Sequence, residues 1–361
     1  MNVVRKLVQR RGRSDRTMRT PEALAAAGLI ETQDTDNARA AAETLPIAIP
    51  PALAGLIDPD DPNDPIARQF VPDSREADGD GLADPIGDDA HSPVRGIVHR
   101  YPDRVLLTPL LICPVYCRFC FRREAVGGQV LDGAALEAAL DYIRNHPEIF
   151  EVILSGGDPL TLSPRRLAGI MDALDRIPHV EIVRIHTRVP VAVPERVDTH
   201  LIAALRRETP LFVVLHCNHP RELSPPARVA VSRLVDAGIP MLSQTVLLKG
   251  VNDDENTIEA LMRALLKNRI KPYYLHHADL ARGTGHFRTA LSVGRRIVRA
   301  LRGRLSGLGQ PTYVLDIPGG QGKSPVGPSY AREEGDGHWR IEDWRGESHL
   351  YKDPPENDRI R

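Results

Sequence analysis

The stretch Val105-Leu-Leu-Thr-Pro-Leu-Leu-Ile-Cys113-Pro-Val-Tyr-Cys117-Arg-Phe-Cys120 decides how the rest of the chain is read. Its first half is a short apolar run with the composition of a buried strand. Thr108, Pro109 and Pro114 break that run, which falls far short of the roughly 20 residues that span a bilayer. Three cysteines follow within eight residues, too crowded to be independent disulfide staples. Three thiolates so closely spaced can hold three irons of a cubane, leaving the fourth iron open to a redox cofactor. A structural zinc site wants four ligands, commonly as two CxxC-like pairs, and no second pair exists, although a histidine could complete one. The remaining cysteine, Cys217, reads as core packing at a strand end. Four cysteines in 361 residues exclude a disulfide scaffold and point to a reducing compartment, the cytoplasm.

Downstream, short β-branched runs alternate with stretches of helical period. The pattern predicts strands at Val105–Ile112, Glu151–Leu154, Val180–Ile185, Leu211–His216, Met241–Leu248, Ile270–Leu275 and Thr312–Ile317. Helices are expected at Ala134–Asn145, Pro164–Ile177, Thr199–Glu208, Pro225–Ala237, Asp254–Asn268 and Leu291–Leu301. The spacing, about 30 residues per strand-plus-helix unit, is that of repeated βα units, which favour a parallel sheet. The fold class is therefore α/β, an incomplete parallel (βα)6-type barrel. Polar and Gly-rich residues follow the C-terminal strand ends, the edge that carries active sites in such folds.

Upstream, residues 1–100 read as an accessory extension, with 101–320 the barrel and 321–361 a closing tail. Helices are expected at Pro21–Leu29, capped by Thr20, and at Asn37–Leu45, capped by Asp36. Ile57 to Pro93 is rich in Asp, Pro and Gly and reads as a long irregular wrap. Its Asp78-Gly-Asp-Gly invites a calcium loop, but the twelfth position, counted from Glu76, is Gly87 rather than Glu. The basic stretch Met1–Thr20 lacks an apolar core and does not read as a secretion signal. A formal net charge of −1 removes the electrostatic argument for nucleic acid or an anionic membrane as partner.

Two further motifs carry chemistry. Ser155-Gly156-Gly157-Asp158 follows the second barrel strand, where glycines permit close backbone approach. Asp316-Ile-Pro-Gly319-Gly320-Gln-Gly322-Lys323-Ser-Pro contains Gly-Lys-Ser, yet Ile317 stands where a nucleotide P-loop needs its first glycine, and Pro325 stops a following helix. A lysine on a Gly-rich loop suits a Schiff base with an aldehyde cofactor.

The CxxxCxxC run with its aromatic before the last cysteine resembles the radical S-adenosylmethionine superfamily. Tyr101-Pro-Asp-Arg104, Cys-Arg-Phe-Cys-Phe-Arg-Arg, Ser-Gly-Gly-Asp, Asn218-His-Pro, Val-Leu-Leu-Lys-Gly-Val-Asn-Asp, Lys-Pro-Tyr-Tyr and Pro-Gly-Gly-x-Gly-Lys, in that order, resemble lysine 2,3-aminomutase from about Ile57 to about Pro354. The resemblance implies a [4Fe–4S] cluster on Cys113, Cys117 and Cys120, S-adenosyl-L-methionine, and pyridoxal 5′-phosphate on Lys323. It implies that Arg104, with Arg100 and Tyr101, binds the cofactor phosphate. Ser155, Gly156, Gly157, Asp158, His216 and Gln244 would line the S-adenosylmethionine site. Arg122 would pair with the substrate carboxylate, and Asp279 and Asp316 with a lysine ε-ammonium.

Two carboxylates favour a terminal cation and reject a side-chain carboxylate. Arginine would also satisfy them, so glutamate and arginine 2,3-aminomutases stand as alternatives, as does β-lysine formation for elongation factor P. The expected partners are the small-molecule amino acid and a reducing donor such as flavodoxin or ferredoxin, with no nucleic acid and no membrane. His276 and His277 depart from the family pattern and leave substrate fit to be settled. A missing cysteine-rich C-terminal extension leaves homo-oligomerisation open.

Overall fold

The computed structural model describes residues 15–354; the basic stretch preceding Asp15 lies outside them. Two sheets organise the chain. A nine-stranded sheet runs in sequence order, β1 (Ile97–Tyr101), β2 (Arg104–Leu110), β3 (Glu151–Gly156), β4 (Ile182–Thr187), β5 (Leu211–His216), β6 (Met241–Leu247), β7 (Ile270–His277), β8 (Thr312–Ile317) and β9 (Gly322–Pro325). Strands β2 through β8 pair in parallel. The outer strands β1 and β9 pair antiparallel to β2 and β8. The sheet is thus a curled, incomplete barrel with two antiparallel edges. Those edges meet at one point, where the Lys323 amide of β9 donates to the Tyr101 hydroxyl of β1 at 2.7 Å.

Helices α1 (Pro21–Ala26) and α2 (Thr35–Thr44) precede the sheet. Around it lie α3 (Gly133–Arg144), α4 (Pro164–Asp175), α5 (Thr199–Leu205), α6 (Pro225–Asp236), α7 (Glu255–Lys267) and α8 (Leu291–Arg304). Five of these start on a side-chain cap: Asp132, Ser163, Asp198, Ser224 and Asp254 each accept a first-turn amide. Their apolar faces bury Leu167, Ile170, Leu234, Leu261 and Leu301 against fully enclosed strand residues such as Val152, Val183 and Val213. Strands buried on both faces explain the near-continuous apolar runs that made them visible in sequence.

Some expectations shift. Thr20 does cap α1, accepting from Ala23 at 3.2 Å. Asp36, expected as a cap, lies inside the first turn of α2 instead, and Asp34 holds the cap position without a side-chain bond. The short β1 and β9 were not expected: β1 has only the pair Ile97-Val98 as an apolar run and β9 has none. Nor was the antiparallel sheet β10 (Ala331–Gly335), β11 (His338–Glu342) and β12 (Ser348–Lys352) in the tail.

The extension is not a detached appendage. Leu24, Ile49, Leu53, Ile66 and Phe70 form a second core with Val115 and Ala192, and Cys117 packs against it. The wrap therefore closes over the cysteine loop. Among the described residues no helix is long and apolar enough to cross a membrane.

Candidate active site

The C-terminal strand ends open onto one cavity of about 660 Å3. Cys113, Cys117, Cys120, Arg122, the Ser155–Asp158 turn, His216, Gln244, Asp279, Asp316, Lys323 and the β1–β2 residues Arg100, Tyr101 and Arg104 all line it. Every site residue expected from the sequence is gathered there, from stretches more than 200 residues apart.

The cysteine loop leaves β2 and is fixed from below. Arg118, fully buried, forms an ion pair with Glu76 at 2.5 Å and donates to the carbonyls of Leu45 and Pro46. Arg123 reaches the same Glu76 carboxylate at 2.7 Å and the Gly283 carbonyl at 3.2 Å. Phe119 meets Phe287 edge-on, with ring centres 6.0 Å apart. All three loop cysteines are free thiols. Burial raises their pKa, to about 11 for Cys117, so metal capture there releases protons.

The Gly-Gly turn serves this loop directly. A Cβ on Gly157 would sit 2.3 Å from the Ile112 carbonyl oxygen, and Gly156 has φ +102. The Gly157 and Asp158 amides donate to Leu110 and Ile112 at 2.8 and 3.0 Å. The glycines are therefore demanded by backbone packing on the chain entering the cysteines, more than by space for a ligand. The Asp158 carboxylate is itself spent on the β4 loop, accepting from Thr187 Oγ1 at 2.8 Å and the Arg188 amide at 2.7 Å. Arg188 in turn pairs with buried Glu222 at 2.6 Å.

At the lysine, Nζ lies 2.6 Å from Asp316 Oδ1. Burial alone would raise Asp316, but its bond with His276 and the Lys323 ammonium outweigh that and hold it well below the usual carboxylate range. Asp279 goes the other way: burial, then the charge of Asp316, push it up to about 7. Arg104 stacks on the Tyr101 ring at 3.9 Å and pairs with Asp103 at 2.6 Å. Arg100 and Arg122 converge on one carboxylate, Asp88, each at 2.8 Å. Arg122 also lies 3.5 Å from Ser155 Oγ.

Asp88 gave no sequence signal, being one acid among many in the wrap. His186, one of the polar strand-end residues of the sequence pattern but given no role there, has its Nε2 3.3 Å from Gln244 Nε2 and its ring 5.8 Å from that of His216. Burial drives His186 well down and His216 to about 3, so both are neutral rings.

A curled parallel sheet that delivers three thiols and a Gly-Gly turn to one cavity defines a radical S-adenosylmethionine enzyme, and the Radical SAM superfamily profile matches residues 107–261. The L-lysine 2,3-aminomutase of Clostridium subterminale is 43% identical over 86% of this chain and 76% of its own. A putative L-lysine 2,3-aminomutase of Aquifex aeolicus is 43% identical over 84% of this chain and 83% of its own. The glutamate 2,3-aminomutase of Clostridioides difficile is 37% identical over 85% of this chain and 74% of its own. The chain belongs to the lysine 2,3-aminomutase family of isomerases. Its cofactors are a [4Fe–4S] cluster, S-adenosylmethionine and pyridoxal phosphate.

The residues fit that set. Three free thiols on one short loop, all lining the same cavity, offer three ligands and no fourth, the donor set of a cubane with one iron left open. Lys323 supplies an amine on the cavity wall, with Arg104 and Tyr101 beside it for a phosphate.

Proposed function

We propose that this enzyme is an L-lysine 2,3-aminomutase, moving the α-amino group of free lysine to the β carbon. One observation carries the choice of substrate: Asp279, two residues beyond β7, and Asp316, within β8, both line this cavity. Two acids there favour a terminal cation, and a substrate bearing a second carboxylate would meet repulsion.

When bound, S-adenosylmethionine on the cluster would supply radical hydrogen-abstraction chemistry, and pyridoxal phosphate would supply a carrier for the amino nitrogen. The chain's own residues bind, orient and shield. Cys113, Cys117 and Cys120 would hold the cluster. Asp316 Oδ1 holds the Lys323 ammonium until that amine is engaged. Arg104 and Tyr101 fix a phosphate, with Arg100 behind them. Arg122, between Asp88 and Ser155, meets the substrate carboxylate and sets the reacting carbon near the cysteine loop. Ser155, Gly156, Gly157, His216 and Gln244 form the S-adenosylmethionine side of the cavity, and Asp158 secures the loop behind them. The enclosing strands keep water and stray hydrogen donors from a reactive carbon centre.

The same reading has the enzyme working in the cytoplasm with a reducing donor such as flavodoxin or ferredoxin. It keeps the division into extension (1–100), barrel (101–320) and tail (321–361), with the tail supplying Lys323.

The test is product analysis of anaerobically reconstituted protein with dithionite, S-adenosylmethionine and pyridoxal phosphate, given lysine, glutamate or arginine in turn. β-Lysine from lysine alone is the expected result. Cleavage of S-adenosylmethionine without any β-amino acid would show that the substrate is misassigned.

A further inference from the structure

A primary ammonium carries three N–H donors, and a closed cavity must satisfy each of them. Asp279 and Asp316 offer two separate acceptors. The structure contains its own example of an amine at this position, since Lys323 Nζ sits on Asp316. Beside that contact, His276 places Nδ1 3.5 Å from Asp316 Oδ2. Its neighbour His277 is spent elsewhere, on the Tyr313 hydroxyl at 2.7 Å. Strand alternation separates the two rings, and His276 lines the cavity with Tyr274, whose ring lies edge-on at 5.5 Å.

Two polar atoms on this wall are buried and unpartnered: His276 Nε2 and Asp279 Oδ1. A buried polar atom without a partner is rare and calls for a ligand or another explanation. With Nδ1 turned to a carboxylate, the ring proton belongs on Nδ1 and the lone pair on Nε2. Burial, which lowers the His276 pKa, favours the same neutral ring. His276 then offers an acceptor of the same kind as the two aspartates.

We infer that His276 is a specificity-determining residue, its Nε2 accepting the third N–H of the substrate's terminal ammonium while Nδ1–H steadies Asp316. This deepens the lysine reading and rests on it. Three acceptors from three residues suit the diverging donors of an ammonium. A guanidinium presents its donors in one plane, matched to a single carboxylate fork. His276 would thereby set lysine apart from arginine, and from an amino acid whose chain ends in a methyl group.

The experiment titrates the pyridoxal phosphate-loaded protein, without S-adenosylmethionine, and follows cofactor absorbance. Lysine is compared with norleucine, which has a methyl group in place of the terminal aminomethyl. His276→Phe keeps the ring and removes the acceptor; His276→Gln restores one. Expected for His276→Phe is a lysine affinity lower by roughly tenfold to a hundredfold, the range of one hydrogen bond to a charged group, with norleucine unchanged. In turnover KM should rise with kcat little altered, and His276→Gln should recover most of the loss. Equal losses for lysine and norleucine, or a lower kcat at unchanged KM, would overturn the assignment and make His276 structural. Should His276→Phe fail to load cofactor, His276→Asn, too short to reach the ammonium, gives the same comparison. Wild-type protein that binds norleucine as tightly as lysine would sink the lysine reading itself, before any variant is made.

Discussion

The two anchor points proposed for the cofactors of this cavity are built in opposite ways. The cysteine loop is held by fully buried ion pairs from Arg118 and Arg123 to Glu76, and by the extension's own core. Lys323 stands at the exposed edge of a four-residue strand, after three glycines with positive φ, Gly319, Gly320 and Gly322. Its chain is tied by pairing with β8, by Tyr101, and by Gly320 packed on Gly87 and His91. A cluster that stays in place needs a rigid mount. In the proposed reading Lys323 gives up its cofactor to the substrate and takes it back, which needs a mount that can move. The difference in construction follows the difference in task.

Losing either anchor should abolish product, yet the two losses should look different. Cys117→Ala should remove iron and sulfide and leave pyridoxal phosphate stoichiometry intact. Lys323→Ala should retain the cluster spectrum and lose the covalent cofactor. Loss of both groups in either variant, by iron assay and absorbance, would mean the two ends are one mechanical unit.

Glu76→Gln tests the rigid end. It leaves two buried guanidinium groups facing a neutral amide, and breaking a buried pair from one side costs about 3–5 kcal/mol. The melting temperature should fall by many degrees, and iron should be lost on heating before pyridoxal phosphate. An unchanged melting temperature would show that the extension does not brace the loop.

What was readable in the sequence divides along the same line. The cysteine run, the strand-end turns and the Gly-rich lysine loop are local patterns, and local spacing reports local chemistry. The braces are not local: Glu76 lies 42 and 47 residues from the arginines it holds. In sequence it stands in an acidic wrap beside Asp73 and Asp78, which carry no comparable duty. Asp88 was hidden the same way. Strand β9 escaped because its residues serve the site rather than a core, Lys323 among them, and β1 because only Ile97 and Val98 of its five residues are apolar and buried, too short a run to stand out. The reason for the Gly-Gly turn needed coordinates, since what a Cβ would strike is the Ile112 carbonyl on another strand's exit.

Asp279 should leave a mark on pH dependence at the substrate end. The unfolded chain releases this proton in the ordinary carboxylate range, whereas the folded protein keeps it up to about 7. The group's contribution to stability is thus complete below about pH 4 and is lost as pH rises through 7. Asp279→Asn cannot ionise, so its melting temperature should gain on wild type between pH 5 and pH 8. Lysine binding should run the opposite way in wild type, strengthening as the pH passes 7, because the ammonium needs the carboxylate. Affinity that is flat from pH 6 to pH 8 would separate Asp279 from substrate recognition.

The smallest expected effect belongs to Tyr101→Phe, and it probes the movable end most directly. The hydroxyl accepts the Lys323 amide at 2.7 Å, across the gap where the two sheet edges meet. Removing it loses one neutral hydrogen bond, worth about 0.5–1.5 kcal/mol. The amide left behind lies at an exposed position and can turn to water, which keeps the loss near the lower figure. The ring remains, so Arg104 keeps its stacking partner and its own hold on the phosphate. Pyridoxal phosphate should therefore bind a few-fold more weakly, through faster release rather than slower capture, with iron content and melting temperature almost unchanged. Stopped-flow absorbance separates the two rates. A loss of a hundredfold, or a loss shared with the cluster, would make Tyr101 a keystone of the closed barrel and end the contrast between a fixed thiol end and a movable lysine end.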